Sequence, residues 1–420
     1  MRGALAYAAP ALTVALVLTR PRVGVRVGPA IAGLLGLALM LAAGALGPGE
    51  VIHAAETLWR PFTGVASIML TAAVAEQVGI IERLAAIVER GTRGPVWLAF
   101  GTVFGLGAAT ASLLNNDSAI LLLTPMIVPL VRSRYPLRQH LVVPFSFCVF
   151  AAAGVAPLVI SNPINFVVAS HAHIGFNEYA GIMIPVAAAG LVVAFAMLCL
   201  IFRNDIRDPI PGRGPISPPL PKVTRAEWEA LAVMAAVFGA YPIVSLLDGP
   251  VWMVAGVGAL LGVVVCYRHR VATPVVLGRM VAWDILLFMF AVYLMAQGLK
   301  QIGVTDGLVH LYSATGGPRM RVFSIGTISA FGSAVLNNHP MALLNAVALE
   351  GAERRHILAA LVGGDLGPRL LPMGSLAGLL WMKTLHRVGV PIPLSQFVRI
   401  GAIVTLPALA ISLLVLLALG

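Results

Sequence analysis

Two asparagine pairs lie inside membrane-length apolar stretches, and they limit what this chain can fold into. Asn115-Asn116-Asp117 interrupts ATASLLNNDSAILLLTPMIV, and Asn337-Asn338-His339-Pro340 interrupts SAFGSAVLNNHPMALLNAVAL. Hydrocarbon satisfies no amide donor or acceptor, so such tips persist only where protein or a watery cavity meets them. A polar tip that occurs twice suggests a site built from two facing halves, an arrangement typical of secondary transporters.

The rest of the chain agrees with a membrane setting. Of its 420 residues 59% are apolar and 11% charged, with a mean hydropathy of +0.94, whereas soluble domains carry about 25% charge. The expectation is an all-α polytopic membrane protein. The first apolar run, Ala4 to Leu18, is followed by Arg20, Arg22 and Arg26, the reverse of a signal peptide, so it reads as a retained helix. The net charge of +11 falls in separate clusters between apolar segments, which points to cytoplasmic loops and not to nucleic-acid binding. Cys148, Cys199 and Cys266 are far apart and form neither a CxxC nor a metal-ligand spacing, so no metal site is expected. There is no nucleotide-binding P-loop, no GxSxG and no HExxH. The chain is therefore read as a non-enzyme with no catalytic residues and no cofactor, drawing energy from a gradient or an outside partner.

An internal repeat covers nearly the whole sequence. Gly28-Pro29 pairs with Gly249-Pro250, Trp59 with Trp283, Gln77 with Gln301 and Gly79 with Gly303. Gly94-Pro95 pairs with Gly317-Pro318, the asparagine pairs with each other, and Ile174-Gly175 with Val388-Gly389. Their collinear order carries the argument. The first half is placed at 1–202 and the second at 228–420, joined by a proline- and charge-rich cytoplasmic linker at 203–227. Spans are expected near 4–19, 28–46, 57–80, 140–159 and 179–202, then near 228–247, 250–267, 281–300, 355–371 and 396–419. Segments 96–131 and 319–350 read as re-entrant hairpins turning at the asparagines, with small residues before each tip for close packing.

Charge sets the orientation. Arg20/Arg22/Arg26, Arg83/Arg90/Arg93, Arg132/Arg134/Arg138, Arg203 to Arg225, Arg268/Arg270/Arg279 and Lys383/Arg387 fall on one side, which should be cytoplasmic. Five spans per half is an odd number, so the second half is inverted relative to the first and both termini are periplasmic.

Each half has a second irregularity after its tip. In the first it is Ser161-Asn162-Pro163 followed by Asn165, in a broken helix at about 140–172. In the second it is Pro372-Met373-Gly374-Ser375, at about 355–388. Proline removes a helix donor and glycine loosens the backbone. Broken helices expose half-helix ends as ligand sites, although a satisfied proline kink is the plain alternative. Intramembrane acids are costly and point to function. Asp117 has no local cation, which favours a proton or ion role. Asp365 precedes Arg369 by four residues, so a structural ion pair competes evenly with proton coupling. His339 stands in the second tip where Asp117 stands in the first, as a proton site or as a hydrogen-bonding cap. His171 and His173 suit an interface, and Trp59, Trp97, Trp283 and Trp381 suit interfacial anchors. Glu76 fits either an interface or a proton path.

LLNNDSAILLLTPMIV, VAPLVISNPINFVVASHAHIGFNEYAGIMIPV, FAVYLMAQGLKQIGVTDGL and the stretch GGDLGPRLLPMGSLAGLLWMKTLHRVGVPIPLSQFVRIGAIVTLPAL resemble the arsenite/antimonite efflux permeases of the ArsB type. These belong to the ion transporter superfamily, with sodium/proton antiporters and dicarboxylate carriers. The resemblance runs from about Pro29 to Leu406. It implies a scaffold, a mobile transport domain with two hairpins, elevator-like movement, and expulsion of arsenite and antimonite against proton entry. By motif match it carries site roles to Asn116, Asp117, Ser161, Asn162, Asn337, Asn338, Asp365, Gly374 and Ser375; Asn115 joins the substrate-binding set from its place in the tip. This sequence departs from the pattern with Asn115 in place of a small residue and His339 in place of an apolar one.

The chemistry suits the substrate the resemblance implies. Arsenous acid is neutral and bears three hydroxyls, which amides and hydroxyls pair with without burying a fixed charge. The leading expectation is a proton-coupled exporter in a bacterial or archaeal plasma (inner) membrane. The alternatives are a sodium/proton or other cation/proton antiporter and the membrane subunit of an ATPase-driven pump. The partners to test are arsenite, antimonite, protons, membrane lipids, a soluble arsenical ATPase and a second copy of the chain as a homodimer.

Overall fold

The computed structural model describes residues 2–19, 21–23, 25–91, 95–207, 222–314 and 316–419. Most of the linker, residues 208–221, lies outside them, as do Arg20, Arg93 and Gly94. The first half runs α1 (Arg2–Thr19), α2 (Pro29–Ala42), α3 (Pro48–Gln77), α4 (Ile80–Gly91), α5 (Val96–Leu113), α6 (Asn116–Arg134), α7 (Val142–Ala152), α8 (Pro163–His171), α9 (Phe176–Ile201) and α10 (Arg203–Ile206). The second runs α11 (Arg225–Leu246), α12 (Val251–Arg268), α13 (Pro274–Met280), α14 (Trp283–Gln301), α15 (Val304–Ser313), α16 (Pro318–Leu336), α17 (Asn338–Ala348), α18 (Arg354–Leu366), α19 (Leu376–Arg387) and α20 (Leu394–Leu419). A two-residue ladder, Arg22–Val23 against Val25–Arg26, precedes α2.

The order of elements repeats. The long helix α3 and the short amphipathic α4 recur as α14 and α15. The hairpin α5–α6 recurs as α16–α17, and the broken pair α7/α8 as α18/α19. Gly79 (φ +92°) and Gly303 (φ +77°) make the same left-handed turn between the long helix and the amphipathic one in both halves, a geometry that only glycine adopts freely. The fold is an all-α polytopic membrane protein of two inverted repeats.

Among the described residues, seven helices are long and apolar enough to cross a membrane: α3, α5, α9, α11, α12, α14 and α20. The spans expected at 140–159 and 355–371 are not continuous. Chain 153–158 and the 3-10 turns at Val159–Ser161, Gly367–Arg369 and Pro372–Gly374 split each into half-helices. The expected linker, 203–227, carries helix at both ends. Arg203–Ile206 is helical, and Thr224 and Glu227 exchange a capping box that starts α11 early, with Arg83 bonded to the Glu227 carboxylate. Trp381 is no interfacial anchor: it is fully buried, with its ring centroid 5.1 Å from that of Phe147 and 5.0 Å from that of Phe150. Trp59, Trp97 and Trp283 are exposed.

Small residues bring the second hairpin onto its break. Side chains added at Gly363 or Gly367 of the α18 segment would overlap the carbonyls of Gly326 and Ala330 in α16. At Gly374, a β-carbon would lie 2.6 Å from Pro368 Cα and 3.1 Å from Ala334 Cα. Close backbone approach of this kind replaces the absent hydrophobic drive between helices in lipid.

The two halves pack asymmetrically on the long helices. Helix α8 lies against α3, and α17 lies against α14, in one continuous core. Their counterparts α19 and α6 make no comparable contact with α14 and α3, and they pack on each other. On the α8/α17 side a cleft of about 930 Å³ is lined by His53, Glu56, Arg60, His171, His173 and Glu350, among others. The His171 ring there meets Tyr293 edge-on, with centroids 5.7 Å apart.

Candidate functional site

Four helices begin within this region, each capped by a residue singled out in the sequence. Asn115 Oδ1 accepts from Ser118 N–H (2.6 Å) at the start of α6, and Asn162 Oδ1 accepts from Ile164 N–H (3.3 Å) at α8. Asn337 Oδ1 accepts from His339 N–H (3.3 Å) at α17, and Ser375 Oγ accepts from Gly378 N–H (2.9 Å) at α19. Short polar side chains in extended backbone reach their own helix start, which is why asparagine and serine stand at these positions. The capping oxygens are thereby occupied. The remaining helix-start N–H groups carry partial positive charge, a setting that attracts oxygen atoms with lone pairs. Asn337 pays for its position with φ +85°, a conformation other side chains resist.

Side-chain bonds then tie tips to breaks. Asn116 Nδ2 donates to the Gly154 carbonyl (3.0 Å), and Ser161 Oγ donates to the Ser112 carbonyl (2.6 Å), holding the first hairpin on the first break. Asn337 Nδ2 donates to the Met373 carbonyl (3.3 Å), beside Gly374, holding the second hairpin on the second break. Asp365 joins the halves. Its Oδ1 accepts from Asn162 Nδ2 (2.7 Å), and its Oδ2 from Asn165 Nδ2 (2.8 Å) and Ala156 N–H (2.9 Å). Asn116, Ser161 and Asn337 thus tie each tip to its break, and Asp365 ties one break to the other.

The Asp365–Arg369 ion pair does not form. The helix gives way to a 3-10 turn at Gly367-Pro368-Arg369, so the i, i+4 geometry is lost. The Arg369 guanidinium instead donates to the Ala151 carbonyl (2.5 Å), satisfying an end of α7. Sequence reasoning gave Asn165 no role of its own and missed Tyr179. The Tyr179 hydroxyl accepts from Asn165 Nδ2 (2.9 Å) and donates to the Ala156 carbonyl (3.2 Å). A lone tyrosine in an apolar helix carries no signal that would have found it. The spacing of Asn165 three residues after Asn162, on one helix face, was legible.

A few polar groups stay open. The half-buried Asp117 carboxylate has no hydrogen-bond or ion-pair partner among the described residues. Asn338 is buried and its Oδ1 has no partner, and the same holds for Ser333 Oγ. His339 is buried with Nδ1 3.4 Å from Asn337 Oδ1, which accepts a hydrogen bond when Nδ1 carries the proton. Open acceptors beside helix N-termini suit a small solute that both donates and accepts hydrogen bonds. Among the described residues no three His, Cys, Asp or Glu side chains gather as metal ligands. Cys148 Sγ donates to the Phe100 carbonyl (3.3 Å), and Cys148 and Cys199 sit in or against an apolar core.

Residues 5–419 match the family model ArsB, described as arsenical pump membrane protein. The chain is 31% identical over 416 residues to the arsenical pump membrane protein of Escherichia coli K12, covering 96% of this chain and 95% of that protein. The protein of the same name from Yersinia enterocolitica gives the same identity and coverage. A 46 kDa membrane protein of Mycobacterium leprae is 26% identical over 413 residues, covering 92% of this chain and 93% of its own length. Among solved structures, the YdaH transporter of Alcanivorax borkumensis matches with a TM-score of 0.57 at 16% identity, over 93% of this chain and 97% of that one, a likeness of fold.

Proposed function

The chain belongs to the ArsB family of arsenical pump membrane proteins, and from that premise we propose that it exports arsenite and antimonite from the cytoplasm in exchange for protons. The observation that carries the proposal is the open Asp117 carboxylate in the first turn of α6, next to Asn116, whose amide is bonded to the Gly154 carbonyl. Of the two acids near the site, Asp117 has no hydrogen-bond partner among the described residues, whereas Asp365 accepts three hydrogen bonds. Asn116, the Asn338 amide and the helix-start N–H groups are assigned to the hydroxyls of the oxyacid. A neutral substrate asks no charge of this pocket, and binding through hydrogen bonds alone keeps the site weak enough to empty.

Movement is assigned to the hairpins and broken helices as one body sliding against α2, α3, α12 and α14. The asymmetric packing on α3 and α14 supports this: in the mirror-image state, α6 and α19 would dock on the long helices as α8 and α17 do here. With the arginine-rich loops in the cytoplasm of a bacterial or archaeal cell, the contacts of α8 and α17 with the long helices lie on the periplasmic side. Homodimers and docking of a soluble ATPase are compatible with this reading. Reconstituted liposomes with an imposed pH difference test it. Arsenite movement driven by the proton gradient, without sodium or ATP, is expected; a strict need for sodium, or for ATP and a second protein, overturns it.

A further inference from the structure

We propose that Asp365 is a cross-brace that positions the first break through its hydrogen bonds, and that it is not the proton carrier. The inference rests on the transport reading above only for its functional readout. Every contact to the carboxylate is an N–H donor: Asn162 Nδ2, Asn165 Nδ2 and Ala156 N–H, at 2.7, 2.8 and 2.9 Å. All three groups present hydrogens to the carboxylate, so its lone pairs make these contacts. Both oxygens of a buried carboxylate with three donors are well satisfied, and hydrogen bonds to a charged group are the stronger kind.

The three donors come from the stretch where helical hydrogen bonding fails. Ala156 lies between α7 and α8, so its N–H has no helical partner. Asn162 caps α8, and Asn165 lies one turn further along. Asp365, from the other half of the chain, therefore supplies the bonds that the broken helix lacks. Tyr179 closes the arrangement by bridging Asn165 to the Ala156 carbonyl. Arg369, also buried, grips the Ala151 carbonyl just before the break. Two charged side chains of the second half thus hold the first break on both flanks. This fixes Asn162 and the α8 start, next to Ser161, which bonds the Ser112 carbonyl of the first hairpin.

The hydrogen-bond pattern prescribes its own test. In Asp365→Asn, an NH2 group replaces one oxygen and meets either Asn162 Nδ2 or the Asn165/Ala156 pair, donor against donor. In the double variant Asn162→Asp/Asp365→Asn, the amide introduced at position 365 donates to the carboxylate introduced at position 162. The oxygen of that amide accepts from Asn165 and Ala156, and the carboxylate at position 162 still caps α8. All bonds return, with the charge moved across the contact. Both variants, wild type and Asp117→Asn are purified in detergent, tested for melting temperature, and reconstituted for arsenite transport across a pH series.

The expected result is that Asp365→Asn lowers the melting temperature and raises the arsenite KM about tenfold, or fails to fold. The double variant regains folding, melting temperature and most of the KM, with the wild-type pH profile. A double variant no better than Asp365→Asn overturns the brace. So does an Asp365→Asn protein that folds, binds arsenite normally and loses its pH dependence, since that marks Asp365 as the proton carrier. If wild-type protein shows no gradient-driven arsenite transport, the functional proposal fails while the melting temperatures of the two variants still decide the brace.

Discussion

Gly64 offers a way to shift the conformation without touching the site. A β-carbon added at Gly64 in α3 would lie 2.6 Å from Phe166 Cζ of α8, with Trp252 Cβ 3.3 Å away on another side. Carbon atoms pack at about 3.5–4.0 Å, so α8 must withdraw by about 1 Å to accept a methyl group. Phe166 is 2% exposed and has little freedom to turn aside. Overpacking of this kind costs about 1–3 kcal/mol. That penalty falls only on conformations in which Phe166 lies on α3. At about 1.4 kcal/mol per factor of ten, Gly64→Ala is expected to shift the balance about 5- to 150-fold away from the described state. The assay is a reporter cysteine at Ala342 in α17, 2% exposed here, in a protein lacking Cys148, Cys199 and Cys266. An impermeant maleimide is applied from the His171 side. Labelling is expected to quicken about tenfold over the Gly64 parent. A folded Gly64→Ala protein that labels no faster refutes the sliding-body account, because the contact it breaks is then not the one that closes this side.

Other expectations concern the site and its rim. Asp117→Asn should abolish gradient-driven arsenite export with expression and melting temperature unchanged; transport at the wild-type rate in that variant removes Asp117 from coupling. Asn116→Ala and Asn338→Ala should each raise the arsenite KM about tenfold, as loss of one hydrogen bond in a dry site costs about 1–2 kcal/mol, and unchanged KM values in both would misplace the pocket. At Asn337, glycine should be tolerated better than alanine, since glycine fits φ +85° and loses only the cap; the order of melting temperatures checks this. At the rim, the Lys300 ammonium bonded to Glu350 (2.5 Å) holds that carboxyl below its usual range. A lowered folded-state pKa means the pair's contribution is present at neutral pH and lost only as acidification passes that lowered value. Glu350→Gln should therefore loosen the α14–α17 junction at pH 7, read as faster labelling of the Ala342→Cys reporter.

The backbone plan was legible because it follows from solvent. Long apolar runs, the collinear repeat and the placement of arginines led to inverted halves with two hairpins. The asparagine tips and both breaks were legible for the same reason: polar or helix-breaking residues in such runs need a partner. What escaped was partner choice. Asp365 and Arg369 have ion-pair spacing, and only the turn at Gly367-Pro368 sends them apart, the one to Asn162 and Asn165, the other to the Ala151 carbonyl. Trp381 shows the same limit, since periodicity cannot say whether a tryptophan near a helix end meets headgroups or Phe147 and Phe150. Asn115, Asn162, Asn337 and Ser375 were legible as special but not as caps, because capping depends on backbone angles that only the folded chain displays, extended at three of them and φ +85° at Asn337.

The glycine contacts between α16 and α18 decide where the protein can bend. Gly363 and Gly367 leave no clearance against Gly326 and Ala330, so neither helix can roll or lift without the other. Hairpin and break must travel like two boards glued face to face. Any joint that lets them travel has to lie outside the glued surface, and the glycines at 316, 351 and 389, each at positive φ with no helix through it, are where the chain around that block has slack.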